Sequence, residues 1–310
     1  MRKIALIIFL CFCEHILYAQ KLETVYLNPK DSTLNMYIAV IPERVTTKAF
    51  MFLMDGFGAR SADVLKQTDL ALYAARKGIL TIIPVLKTGP LYFGVDSASQ
   101  ASLIEMIKDV VQKYQLQGKD LYVGGFSIGG SCVVKYAELA NKRTDIIKPK
   151  AVFALDPPLD WERYYNSAKR AVRLAGRSPL NGEITYMISR IEKEMKGTPE
   201  NAIANYYHIS PYSFSDTTQR AVKALIKTPV MLIAEPDISW WLAQRGDDYA
   251  TINIIDNAAM INELQKLGNK NAILVTTTMR GYREPGHIRH PHSWSIANKE
   301  EVVKWLLDLH

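Results

Sequence analysis

At 310 residues, 48% hydrophobic and 22% charged, the chain has the make-up of a globular protein with length for a sizeable core, which excludes disorder as its default state. Its formal net charge of +7 comes from basic residues scattered without a long run of one sign. The excess therefore reads as solvated surface and excludes a nucleic-acid footprint, while leaving anionic substrates or polymers open.

In chain order, Arg2 and Lys3 precede an apolar run that Glu14 and His15 interrupt, and the segment closes at Leu17-Tyr18-Ala19-Gln20. A run this short reads as a cleaved signal peptide over residues 1–20, not as a spanning helix, with cleavage after Ala19 or Gln20. Export to a periplasm or the exterior follows, with no stable membrane insertion once the signal is removed. Of the three cysteines, Cys11 and Cys13 leave with it and only Cys132 stays, so no internal disulfide is expected.

Short β-rich runs then alternate with helical patterns. Residues 22–27 and 34–41 read as an antiparallel opening pair, and 49–54, 79–85, 121–126, 150–155, 230–234 and 272–277 as buried strands. Apolar residues at helical spacing mark 62–76, 103–114, 257–267 and 299–309. The expected fold class is α/β: an eight-stranded, mostly parallel sheet flanked by helices in one domain over 21–310. Residues 157–227 break the alternation, being helical in pattern and rich in Tyr, Arg and Lys, and are too long for a connection. They read as a helical cap insertion.

Within this pattern, Leu121 to Phe126 is an apolar strand, Ser131 to Leu139 suits a helix, and Ser127 lies on the turn between them in Gly125-Phe126-Ser127-Ile128-Gly129. A sharp turn of this kind exposes the serine, and the flanking glycines keep side chains out of a close strand–helix approach. Placed so, the segment resembles the nucleophile elbow of the α/β-hydrolase family. The resemblance covers the chain after the signal except the cap, and it implies a triad in the order nucleophile, acid, base. Asp237, after the seventh strand in Glu235-Pro236-Asp237, matches the acid position best. Glu235 is its near competitor and Asp156, at the end of the sixth strand, the more distant one, since some family members place the acid there. For the base, His292 precedes the final helix at the family's usual spacing, with His287 second. The backbone N–H groups of Phe57, in Asp55-Gly56-Phe57-Gly58, and of Ile128 suit an oxyanion hole.

The expected activity is that of a serine hydrolase cleaving carboxylic esters, of small molecules or acylated saccharides, through an acyl-enzyme on Ser127, with no cofactor. An aromatic-rich cap, with Trp161, Tyr164, Tyr165, Tyr186, Tyr206, Tyr207 and Tyr212, suits such a substrate if those rings are not simply cap core. A secreted serine peptidase of the same fold and a non-catalytic exported binding protein are the alternatives. A metal site built from His287, His290 and His292 is a further rival.

Overall fold

In the computed structural model the described residues are 20–176 and 182–309. The segment read as a signal peptide lies outside them apart from Gln20. In chain order the elements are β1 (Lys21–Tyr26), β2 (Met36–Ile41), β3 (Ala49–Met54), α1 (Ser61–Gln67), α2 (Leu70–Arg76), β4 (Ile79–Val85), α3 (Ser97–Lys113), β5 (Asp120–Phe126), α4 (Ile128–Lys142) and β6 (Ala151–Leu155). There follow α5 (Trp161–Ala175), α6 (Gly182–Met195), α7 (Pro199–Ile209), α8 (Arg220–Ala224), β7 (Val230–Ala234), α9 (Ile238–Arg245), α10 (Ile254–Lys266), β8 (Ala272–Thr276), the short pair β9 (Tyr282–Arg283) and β10 (Ile288–Arg289), and α11 (Lys299–Asp308).

Eight strands form one sheet in the order β1-β2-β4-β3-β5-β6-β7-β8. The first two strands run antiparallel to their neighbours and the other pairs are parallel. The expected α/β architecture is thus the observed one.

Helices cover both faces, so the central strands are buried apart from Asp120 at the start of β5, and their two-residue period divides the core in two. In β3, Phe50, Phe52 and Met54 pack with Leu103, Met106 and Val133 of α3 and α4. Ala49, Met51 and Leu53 pack with Val64, Ala71, Val302 and Leu306 of α1, α2 and α11.

The single helix expected over 62–76 is two. Thr68 is extended at φ −152°, and its Oγ1 accepts the N–H of Leu70, so the hydroxyl competes with the helical ladder. The described residues between β6 and β7 carry four helices, α5 to α8, and the aromatics there divide. Trp161, Tyr165, Tyr206 and Tyr212 are buried in the core, while Tyr186 is exposed. Among the described residues, no helix is long and apolar enough to cross a membrane.

Parallel register brings the carboxyl ends of the strands to one edge: Met54 lies opposite Gly125, Phe126 opposite Leu155, and Leu155 opposite Ile233. The residues that follow these strands, Asp55, Ser127, Asp156 and Glu235, therefore line that edge. This is where an open α/β sheet holds its ligands.

Candidate active site

Ser127 joins β5 to α4 at φ 54° and ψ −125°, a left-handed conformation costly for a residue with a side chain. It persists because its surroundings fix it. Ser127 N–H donates to the Leu155 carbonyl at 2.9 Å. A Cβ on Gly125 would lie 2.4 Å from the Gly129 backbone, and one on Gly129 would lie 2.4 Å from the Asp55 carbonyl oxygen. The tight turn thus requires both glycines for close approach, and it aims the Ser127 hydroxyl off the strand edge.

His292 Nε2 stands 2.9 Å from Ser127 Oγ, and its Nδ1 stands 2.6 Å from a carboxylate oxygen of Asp156. Its ring lies against Phe126, with centroids 4.5 Å apart. Asp156 is held at φ 46° by its N–H, which donates to the Ile233 carbonyl at 2.7 Å, and its own carbonyl accepts from Asn253 Nδ2. Serine, imidazole and carboxylate form one hydrogen-bonded line.

The carboxylate in that line is not the one the sequence favours, and here the expectation for Asp237 is corrected. Asp237 Oδ1 accepts the N–H of Trp240 and caps α9, while Oδ2 pairs with Arg289 Nη2 at 2.6 Å. Glu235, its side chain wholly buried, accepts from Thr277 Oγ1, the N–H groups of Arg280 and Gly281, and Arg289 Nη2. Both β7 carboxylates are therefore committed to the loop that carries the histidines, and neither meets His292. Arg289 and Arg283 are what the sequence reading missed. The visible signal is that Arg283 precedes the histidine-rich loop and Arg289 lies within it; Arg283 donates twice to the His292 carbonyl.

The other two histidines have separate partners. His287 is exposed, stacks on Tyr282 with centroids 4.1 Å apart and faces Glu284. His290 is buried between Trp240 and Trp241, and burial together with the nearby charges of Arg283, His292 and Arg245 pushes its pKa down to about 3. Among the described residues, no three His, Cys, Asp or Glu side chains are placed to share a metal ion.

On the other side of Ser127 runs the loop after β3. A Cβ on Gly56 would stand 3.4 Å from that of Ser127, so this loop lies beside the nucleophile position. The Gly56 and Gly58 amides are used, by the Asp55 carboxylate and the Pro90 carbonyl. Among the described residues, the amides of Phe57 and Ile128 have no hydrogen-bond partner. The Phe57 ring meets Tyr186 of α6 at 5.5 Å, which brings that helix over this loop, and Phe93, after β4, meets Trp161 of α5 at 4.5 Å.

No family model matches the sequence, and no curated protein matches it. Solved structures do match in shape. The fluorophosphonate-binding serine hydrolase F of Staphylococcus aureus, with substrate bound, is 15% identical over 93% of this chain and 99% of that one, at a TM-score of 0.55. Carboxyl esterase 2 of the mycorrhizal fungus Tuber melanosporum is 14% identical over 94% and 88%, at 0.56. The acylaminoacyl peptidase of Pyrococcus horikoshii is 13% identical over 87% of this chain but 38% of its own, at 0.53. At such identities the likeness speaks for architecture, and the chain has the α/β-hydrolase fold.

Proposed function

We propose that the chain is a serine hydrolase that cleaves carboxylic esters through an acyl-enzyme on Ser127. The observation that carries this reading is the line from Ser127 Oγ to His292 Nε2 at 2.9 Å and from His292 Nδ1 to Asp156 at 2.6 Å. Ser127 Oγ attacks the ester carbonyl while its proton passes to His292 Nε2. Asp156 keeps the imidazole turned with Nδ1–H toward itself and stabilises the imidazolium without taking the proton. The oxyanion that forms accepts hydrogen bonds from the Phe57 and Ile128 N–H groups, and the positive end of α4 favours the same charge. Collapse of this intermediate breaks the bond to the alcohol oxygen, which leaves with the His292 proton. A water then repeats the sequence to free the acid and restore Ser127. A donor of this kind is worth about 2.7 to 4 kcal/mol of transition-state stabilisation.

The same three-residue line argues against a purely binding role, which has no need for a strained serine facing an imidazole. The peptidase alternative rests on fold likeness alone, that to the acylaminoacyl peptidase, of which this chain spans 38%. We read residues 1–20 as an export signal, which the mass of the mature protein checks.

The test is a fluorophosphonate probe followed by mass spectrometry, run beside hydrolysis of p-nitrophenyl butyrate. Labelling on the peptide that carries Ser127, with loss of labelling and of turnover in a folded Ser127→Ala protein, is expected. Wild-type turnover in Ser127→Ala refutes the reading.

A further inference from the structure

His290 raises an accounting problem that the hydrolytic line does not solve. Its Nδ1 accepts the backbone N–H of His292 at 3.2 Å, and its Nε2 lies 3.3 Å from Arg245 Nη2. A neutral imidazole has one accepting nitrogen, and a guanidinium has none. With Nδ1 accepting, the proton sits on Nε2, so His290 Nε2–H and the Arg245 N–H face one another with no acceptor between them. The other tautomer only moves the conflict to the His292 N–H. Protonating the ring makes it worse, and its buried setting disfavours that form.

Arg283 adds to the problem. Its Nε and Nη2 both go to the His292 carbonyl, at 3.1 and 2.8 Å, which leaves Nη1 without a hydrogen bond among the described residues. Burial, and then the charge of Arg245, hold its pKa below the usual guanidinium value. The carboxylates whose charge reaches these groups are Glu183 of α6, acting on Arg283, and Asp247, acting on Arg245. Among the described residues, neither arginine makes an ion pair with them or with any other carboxylate. Arg283 is half-buried and Arg245 exposed, and a bound anion that accepts from all three donors supplies the counter-ion both lack.

We propose that Arg245, Arg283 and the Nε2–H of His290 form a carboxylate-binding subsite beside Ser127, so that the preferred substrate is an ester that also carries a free carboxylate. The site lies close to the chemistry, because the His290 ring centroid is 6.4 Å from that of His292. The indoles of Trp240 and Trp241 wall it on the His290 side. Two arginines and an imidazole N–H match a planar carboxylate with several donors at once. This assignment rests on the hydrolytic reading of Ser127 and names the substrate class of that same site.

Two matched pairs test it, one for each side of the ester: p-nitrophenyl hemiglutarate against p-nitrophenyl butyrate, and p-carboxyphenyl butyrate against phenyl butyrate. In at least one pair, kcat/KM for the anionic ester is expected to exceed that of the neutral one by about tenfold or more at low salt, and to lose that margin as salt screens the arginines. Arg245→Gln lowers the ratio by about tenfold, Arg245→Lys restores much of it, and Arg245→Glu inverts the preference. Equal rates within both pairs, or a ratio that Arg245→Gln leaves alone, overturn the subsite while Ser127 labelling still upholds the hydrolase. If Ser127 does not label and no ester is cleaved, the hydrolase reading fails, and the subsite is read by calorimetry of glutarate with the Ser127→Ala protein. Binding that Arg245→Gln weakens supports the subsite, and glutarate that releases no heat with this protein rules it out.

Discussion

Two strand ends of the sheet offer carboxylates to the same loop, and they meet it in different ways. At the end of β6, Asp156 is fixed through its backbone, its N–H on the Ile233 carbonyl and its carbonyl on Asn253, which leaves the carboxylate for His292. At the end of β7 the carboxylates themselves are consumed. Asp237 is divided between the Trp240 N–H and Arg289, and Glu235 between Thr277, two amides and Arg289. The difference shows that the chemistry of a carboxylate is set by what faces it. An acid already balanced by a guanidinium and a helix cap has little charge left with which to orient an imidazole, whereas one anchored by its backbone keeps its charge for that task.

Exchanging the roles of the two ends is the strongest way to break this comparison. Asp156→Asn turns an acceptor for Nδ1–H into a group that can present a donor there, and in an enzyme with such a triad the loss in kcat is about 10⁴-fold. That is the expected size here, measured by steady-state hydrolysis of p-nitrophenyl butyrate, against less than tenfold for Asp237→Asn. The reverse ranking places the acid at β7. In the same assay His292→Ala is far more damaging than His287→Ala, since His287 touches only Tyr282 and Glu284 on the surface.

The β7 end answers to a stability measurement. The Glu235 side chain is wholly buried and holds Arg289, whose own side chain is 18% exposed. Removing Glu235 leaves Arg289 with Asp237 alone and takes the acceptor from the Thr277 hydroxyl and the Arg280 and Gly281 amides, at about 1 to 3 kcal/mol for each donor left unpaired. Urea denaturation of Glu235→Ala should show a loss of this size, with activity falling as the His292 loop loses its anchor. A midpoint unchanged from wild type means that water takes over the donors Glu235 leaves and that Glu235 does not anchor the loop.

How much of this was legible in the sequence follows from the same residues. The eight strands and the turn at Ser127 could be read because their determinants are local: a two-residue period, a strand running into a helix, and glycines at 125 and 129 where backbone from β3 and α4 closes in. The acid could not be read in that way. Leu155-Asp156-Pro157 and Ala234-Glu235-Pro236-Asp237 carry nearly the same text at the ends of two buried strands. What separates them is where the loop before α11 crosses the sheet edge, and that loop meets Asp156 from 136 residues away in the chain. Arg289 decides the matter by taking up the β7 acids, and nothing adjacent to it in sequence announces that it points there. The break at Thr68 was missed for a smaller reason: a hydroxyl competing with the helix ladder leaves the apolar spacing intact.

A third strand-end acid sharpens the comparison with a smaller effect. Asp55, after β3, is buried and faces no cation; its Oδ1 accepts from Gly56 N–H and from Trp294 Nε1. Burial therefore prevails over those bonds and pushes its pKa up to about 6, from 3.8. The folded state then binds a proton that the unfolded chain has released between these values. The favourable contribution is complete below about pH 4 and is lost as pH rises through 6, on the order of 2 to 3 kcal/mol in all. Asp55→Asn keeps an oxygen for both donors and carries no charge to bury, so it should be more stable than wild type above pH 6 by about 2 kcal/mol and show no advantage at pH 4. Urea titrations at the two pH values measure both. If the gain is the same at each pH, Asp55 does not titrate in this window and the carboxylate is satisfied by its two donors alone. In that case the β3 end resembles the β6 end, where neutral donors are enough to hold a charged acid beside the site.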